Sequence, residues 1–290
     1  MVTTKNDLPA RRLRNEGVRP SRRDFVAGLG LAGLTVTASA VHPSVFAQAG
    51  ASSIKLINGK DLTGWYFYIR GQGRNNDPKK VFSVENGMLH ISGEQTGALI
   101  TEREYSNYRV VVEYKWGERM WPPREKDAMD SGLMLHCGEK DAAVVGMWPR
   151  SIQCQIYQGS VGDMVLLAGD DPIRATFEGE EKGRAFNYVP GAPQVAREAG
   201  VGTKQFDIIN HYGKDPNWKN EKGFFSPTDA EKPHGEWNTM EVIAKGDTLT
   251  CIVNGRTVNK ATNLNLTKGR IGLQSEGGEI YLRRMELFPL

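Results

Sequence analysis

From about residue 81 onward, apolar side chains recur at every second position, and convincing helical periods are scarce. In GALITEREYSNYRVVVEYKW (97–116), Val110, Val112, Tyr114 and Trp116 share one face, and Arg109, Val111, Glu113 and Lys115 share the other. SGLMLHC (131–137) sets Leu133, Leu135 and Cys137 against Met134 and His136. SIQCQIY (151–157) sets Ile152, Cys154 and Ile156 against Gln153, Gln155 and Tyr157. A period of two is the signature of strands with one buried face. Asn-Gly pairs punctuate VFSVENGMLHISG (81–93) and end WNTMEVIAKGDTLTCIVNG (237–255). Such pairs favour tight hairpins because both residues tolerate positive φ. GRIGLQSEGGEIYLRRMEL (269–287) reads as one more hairpin around Gly277-Gly278.

Many short strands with regular turns predict an all-β chain, a two-sheet antiparallel β-sandwich or jelly roll. No repeat of 20 to 50 residues is present, which argues against a propeller or solenoid. Between about 170 and 235 the alternation breaks down into a long loop-rich insertion. Its composition is rich in Gly, Pro, Asn and Lys, and it is dotted with aromatics such as Phe177, Phe186, Tyr188, Phe206, Tyr212, Trp218 and Phe225. Those aromatics predict ordered loops packed back on the sandwich, the kind of segment that forms binding rims.

Residues 1–49 read as an export signal. SRRDFVAGLGLAGLTVTASAV has the paired Arg22 and Arg23, then an apolar run, and AQA (47–49) ends it with small residues. That order is a twin-arginine signal, and the run is too short and too rich in Gly and Ala for a comfortable membrane span. A periplasmic or secreted domain over 50–290 follows. The leader carries seven Lys/Arg against three Asp/Glu, so the chain's net +3 becomes about −1 once it is removed. A near-neutral domain lacks the basic footprint of a nucleic-acid or membrane binder. Cys137, Cys154 and Cys251 lie in alternating apolar runs, where buried thiols are favoured; a single disulfide among them is compatible with an oxidising compartment.

The polar faces of these strands are the candidate site. Glu113/Lys115, Met134/His136 and Gln153/Gln155 would form a polar platform if their strands pair about 4.8 Å apart. Amides and carboxylates match sugar hydroxyls, and Trp148, Tyr157 or Tyr66 would stack on a sugar ring. The same alternation is the ordinary condition of a solvated sheet. No zinc-protease, nucleophile-elbow, P-loop or dinucleotide motif occurs. The paired-carboxylate pattern of sandwich glycosidases, E-x-D-x-x-E, is missing as well.

Five blocks, in order, carry a resemblance: KLINGKDLTGWYF (55–67), DSGLMLH (130–136), MWPRSIQCQIYQGSVGDM (147–164), HGEWNTMEVIAKGDTLTCIVNGRTVN (234–259) and GRIGLQSEGGEIYLRRMELFPL (269–290). Together they resemble the 3-keto-disaccharide hydrolase domain family across nearly all of the chain after the leader. The resemblance implies a concanavalin-like, laminin-G-like jelly roll. It also implies cleavage of 3-keto-glycosides by elimination and hydration. A ketone at C3 acidifies the C2 proton, so one base can remove it.

Where many members read Asn-Ser-Gly, this chain has Asp130-Ser131-Gly132. Their Glu-x-Gln is Gln153-Cys154-Gln155, and their Leu-Gln-Asp-His-Gly is Leu273-Gln274-Ser275-Glu276-Gly277. Their Phe-Arg-Asn is Leu282-Arg283-Arg284. The resemblance thus assigns His136 or Glu276 as base and Arg283 as stabiliser of the enediolate. Glu113, Lys115, Asp130, Gln153, Gln155, Gln274, Trp148 and Tyr157 become contacts to a carbohydrate or glycoside. A divalent cation held by Asp130, His136 and Glu276 is an alternative stabiliser, while no nucleotide or redox cofactor is expected. The competing expectation is a carbohydrate-binding module without catalysis on the same fold.

Overall fold

The computed structural model describes residues 52–182 and 185–290; the twin-arginine segment and its cleavage sites lie outside the described residues. Alternating stretches become strands where expected. In chain order they are β1 (Ile54–Lys55), β2 (Trp65–Ile69), β3 (Gly73–Arg74), β4 (Phe82–Glu85), β5 (Met88–Ile91) and β6 (Gly97–Thr101). Then come β7 (Tyr108–Met120), β8 (Asp130–Cys137), β9 (Ser151–Tyr157), β10 (Met164–Leu167), β11 (Ile173–Lys182) and β12 (Ala185–Tyr188). The last are β13 (Gln194–Ala199), β14 (Phe206–Asn210), β15 (Asn238–Lys245), β16 (Thr248–Val253), β17 (Arg256–Ala261), β18 (Arg270–Ser275) and β19 (Gly278–Pro289). No helix occurs among the described residues.

These strands form the two sheets of a jelly-roll sandwich. The smaller has the order β17-β16-β15-β7-β19-β5-β4, with β1 beside β19. The larger has the order β13-β11-β12-β14-β10-β9-β8-β18-β6-β2-β3, antiparallel throughout except for the parallel pair β12–β14. The two inner faces meet in one apolar layer. Tyr108, Val110, Val112, Tyr114 and Trp116 come from β7, and Leu133, Leu135, Ile152, Cys154, Ile156, Met164 and Leu166 come from the larger sheet. Each large aliphatic side chain enclosed there contributes about 1.5–3 kcal/mol relative to exposure. All three cysteines are free and buried, as the alternation predicted.

The Asn-Gly hairpins form as read. Asn86 and Gly87 (φ 51° and 78°) turn β4 into β5, and Asn254 and Gly255 (φ 48° and 81°) turn β16 into β17. The final segment does not form a hairpin. β18 pairs with β6 and β8 in the larger sheet, whereas β19 pairs with β5 and β7 in the smaller. Gly277, at φ 90°, carries the chain from one sheet to the other. A Cβ there would lie 3.1 Å from Arg124 side-chain atoms, so the crossover needs a residue without a side chain.

Residues 170–210 also depart from the expected loop, since β11, β12, β13 and β14 extend the larger sheet. Phe177, Phe186 and Tyr188 enter the core. The pattern is hard to read because β14 inverts it, exposing Phe206 and Ile208 while burying Asp207. Asp207 is neutralised by two hydrogen bonds from Arg197, at 2.8 and 2.9 Å. Residues 211–235 do remain loop, with two of the aromatics, Tyr212 and Phe225, exposed.

Candidate active site

The site grows from the register of the three central strands of the larger sheet. Gly132 on β8 pairs with Gln155 on β9, and Met134 pairs with Gln153. On the other side Leu273 of β18 pairs with Leu133, which brings Gln274 beside Gly132. These side chains point away from the core, and Gly132 has none. Its absence matters: a Cβ on Gly132 would lie 2.3 Å from Gln153 Nε2 and 2.6 Å from Gln274 Oε1. In the space it leaves, two amides bond reciprocally. Gln153 Nε2 donates to Gln274 Oε1 at 2.9 Å, and Gln274 Nε2 donates back to Gln153 Oε1 at 3.0 Å. Gln153 also donates to Gln155 Oε1, and Gln155 Nε2 donates to Asp130 Oδ1 at 2.8 Å.

Asp130 stands at the start of β8 and opens onto a charged group. Arg124, on the loop before β8, reaches Asp130 Oδ2 at 2.8 Å and Glu276 Oε1 at 2.9 Å. It also donates to the Tyr157 hydroxyl at 3.3 Å, and its guanidinium lies 5.5 Å from the Tyr157 ring. The loop is docked by Trp121 N–H on Gly277 O at 3.0 Å, so the same glycine that turns the chain between sheets also seats the arginine. Trp218 closes this end, edge-on to Tyr157 at 5.2 Å, with its indole N–H held on Gln158 O at 3.0 Å.

One guanidinium between two carboxylates gives this end of the sheet its chemistry. Burial, and then the nearby Glu276 charge, push Asp130 well above the ordinary carboxylate range. Burial raises Glu276 as well, opposed by Arg124. Asp130 is the more enclosed, with side-chain exposure of 6% against 24% for Glu276. Burial thus eases protonation of both carboxyls, more so for the enclosed Asp130, and leaves Glu276 the more accessible of the two. Two carboxyl groups pushed apart by environment are the arrangement from which acid and base roles arise.

Asp130, Gln153, Gln155, Tyr157, Gln274 and Glu276 thus come together; the other expected residues do not join them. His136 occupies the far end of β8. Six residues at about 3.3 Å each put it roughly 20 Å from Asp130. It also turns inward: at φ 55° the strand bulges. Cys137 then takes the outer face while the imidazole meets Tyr108 edge-on at 5.8 Å and bonds Leu266 O through Nδ1 at 2.9 Å. Burial lowers its pKa, as for a neutral imidazole in the core. The expected convergence of His136 and Glu276 is therefore corrected. So is the cation set: the imidazole lies too far along β8 to complete a site with Asp130 and Glu276.

Arg283, Glu113 and Lys115 belong to the other sheet and its opposite outer face. Arg283 Nε bonds Glu113 at 2.7 Å, and its guanidinium covers the Trp237 ring at 4.3 Å. Lys115 lies 5.3 Å from the same ring. The expected platform failed because β7 pairs with β15 and β19 and not with β8. Trp148 does reach the larger sheet, but it packs there with Met134, Val165, Leu167 and Tyr66 in an apolar cluster. It offers no open ring.

Arg124 is the residue that sequence reasoning missed, while Trp218 entered it only as one of the aromatics of the loop-rich insertion. Both sit in loops without periodicity, WPPREKD (121–127) and KDPNWKN (214–220). The only local signal was Gly277, whose missing side chain leaves room for the arginine.

Against known proteins, the chain matches the profile of the 3-keto-alpha-glucoside-1,2-lyase-like domain over residues 52–287. No curated protein matches it. Among solved structures, a suspected glycosyl hydrolase from Parabacteroides distasonis is 17% identical with a TM-score of 0.46, covering 82% of this chain and 94% of its own. A Bacillus subtilis protein described as having a galectin-like fold is 14% identical with a TM-score of 0.43, covering 81% and 94%. A carbohydrate-binding module from Bacillus subtilis is 10% identical with a TM-score of 0.35, covering 77% and 94%. The assignment rests on the profile match and not on these distant likenesses: the chain belongs to the 3-keto-alpha-glucoside-1,2-lyase-like domain family.

Proposed function

We propose that the protein cleaves 3-keto-glycosides by elimination followed by hydration, at the Asp130–Arg124–Glu276 group. One observation carries this reading. A single guanidinium holds one buried and one half-buried carboxyl group, beside a floor of three glutamines. Glu276 removes the C2 proton, and the electrons of that bond move toward the C3 carbonyl oxygen to form the enediolate. Arg124 stabilises the developing negative charge, the role that sequence alone assigned to Arg283. The enediolate then collapses to a C1–C2 double bond as the C1–oxygen bond breaks, and Asp130 gives its proton to the leaving oxygen. Water adds across the unsaturated ketone, its hydroxyl to C1 and a proton to C2, leaving a 3-keto sugar. Gln155, the partly exposed one of the three glutamines, contacts a ring hydroxyl, since amides both donate and accept, and the buried Gln153 and Gln274 hold it in place.

The test is aglycone release from a 3-keto-glucoside and from its unoxidised parent, each with hydrogen or deuterium at C2. Release from the keto form alone, slowed by deuterium, is the expected result. Equal release from both forms would sink the elimination mechanism, and binding of both without release would leave a carbohydrate-binding module in its place. The paired Arg22 and Arg23 support export of this activity to the periplasm or beyond. Fractionation of the tagged full chain with and without the Arg22→Lys/Arg23→Lys change measures that.

A further inference from the structure

The polar row does not stop at Gln155. Asp163 follows, one residue before β10, its carbonyl accepting the Gln155 N–H at 2.8 Å. Beyond it, β14 lies beside β10 with Met164 paired to Ile209, so Asn210 continues the row. Asn210 pairs in turn with Asn187 on β12 and donates to its side-chain oxygen at 3.0 Å. From Gln274 to Asn187 the row crosses five inter-strand steps. At about 4.8 Å each, that is roughly 24 Å, several times the width of a pyranose ring.

The far end opens into a cavity of about 550 Å³ whose lining includes Asn187, Tyr188, Asn210, Lys214 and Trp218. That volume lies within the range of about 300–1,000 Å³ usual for ligand pockets. Its walls are held in place before any ligand arrives. Asp163 is buried and bonds the His211 backbone and Nδ1, both at 2.8 Å, and it also receives Lys214 Nζ. Lys214 further donates to Asn210 at 3.0 Å and lies 4.9 Å from the Trp218 ring. Trp218 also touches Tyr157, the partner of Arg124. One aromatic thus borders both the reacting end and the distal cavity. Amides and an indole around a preformed hollow are the groups that recognise sugar hydroxyls and C–H faces.

We propose that this cavity is a distal sugar subsite, so that the enzyme takes oligosaccharides longer than a disaccharide, reaching from Glu276 past Trp218 to Asn187. The inference rests on the carbohydrate reading above but needs no turnover to be tested. Titration calorimetry on the full chain uses unoxidised malto- and cello-oligosaccharides of two, three and four units. In one of the two series, affinity is expected to rise about tenfold from the disaccharide to the tetrasaccharide. In Asn187→Ala and in Trp218→Ala, each checked for an intact melting transition, that ratio collapses toward one. A ratio near one in both wild-type series, no binding in either series, or a ratio intact in both variants overturns the subsite. Keto-specific release without length dependence would leave the proposed reaction standing and remove only this inference. Length-dependent binding without keto-specific release would do the reverse.

Discussion

Gly132→Ala is the most informative single change. Gly132 has no positive φ, so alanine fits the backbone without strain and any effect arises from the methyl group. That methyl would lie 2.3 Å from Gln153 Nε2 and 2.6 Å from Gln274 Oε1, so the reciprocal amide pair has to part. Two hydrogen bonds at about 1 kcal/mol each are lost, and crowding in a well-packed setting adds about 1–3 kcal/mol. Because displacement of the amides relieves part of the crowding, the net loss is about 2–4 kcal/mol. With a urea slope of about 2 kcal/mol per M, the middle of the usual range, the unfolding midpoint falls by roughly 1–2 M. Turnover of a 3-keto-glucoside falls with it, since Gln153 also orients Gln155, which in turn bonds Asp130. The measurements are a urea titration followed by tryptophan fluorescence and a release assay at saturating substrate. An unmoved midpoint together with wild-type turnover would refute the claim that the bare glycine shapes the site floor.

Other expectations follow from the same contacts. Arg124→Met strands Asp130 and Glu276 without their shared cation, at a cost of about 3–5 kcal/mol. Both carboxyls are already raised in the fold, so the loss grows as pH rises; urea midpoints at pH 5 and pH 8 test it, and equal losses would contradict it. Glu231, buried against Tyr114 and Trp116, is pushed by burial to about 7 from 4.5. A carboxyl raised on folding contributes stability below its unfolded pKa that is lost as pH climbs through the folded one, here about 3 kcal/mol. Glu231→Gln therefore flattens the fall in stability between pH 4.5 and 7, and parallel pH profiles would rule this out. His136→Ala lowers the melting temperature through lost packing on Tyr108, about 2 kcal/mol, with turnover retained. Abolished turnover with an unchanged melting transition would restore the imidazole to the chemistry.

Much of the fold was legible because burial on one face of a strand writes itself into alternate residues. β7, β8, β9 and the meander of β15, β16 and β17 could be read that way. Reading failed where a side chain's partner inverted the pattern, as Arg197 does for Asp207 in β14. It failed again at His136, where one left-handed residue exchanges the two faces of β8.

The candidate site was half legible. Gln153, Gln155, Gln274, Asp130 and Glu276 emerged from polar faces and from motif resemblance. Their assembly did not, because strand order between sheets is a long-range property that no local window encodes. Local periodicity and turn chemistry were enough for strands, tight turns and a sandwich, since those follow from covalent geometry and from hiding one face from water. Which polar face met which was settled by packing alone. Pairing β8 with β9 and β18, and sending β7 and β19 to the opposite sheet, brought Arg124 to two carboxylates and left Arg283 on the far side of the sandwich.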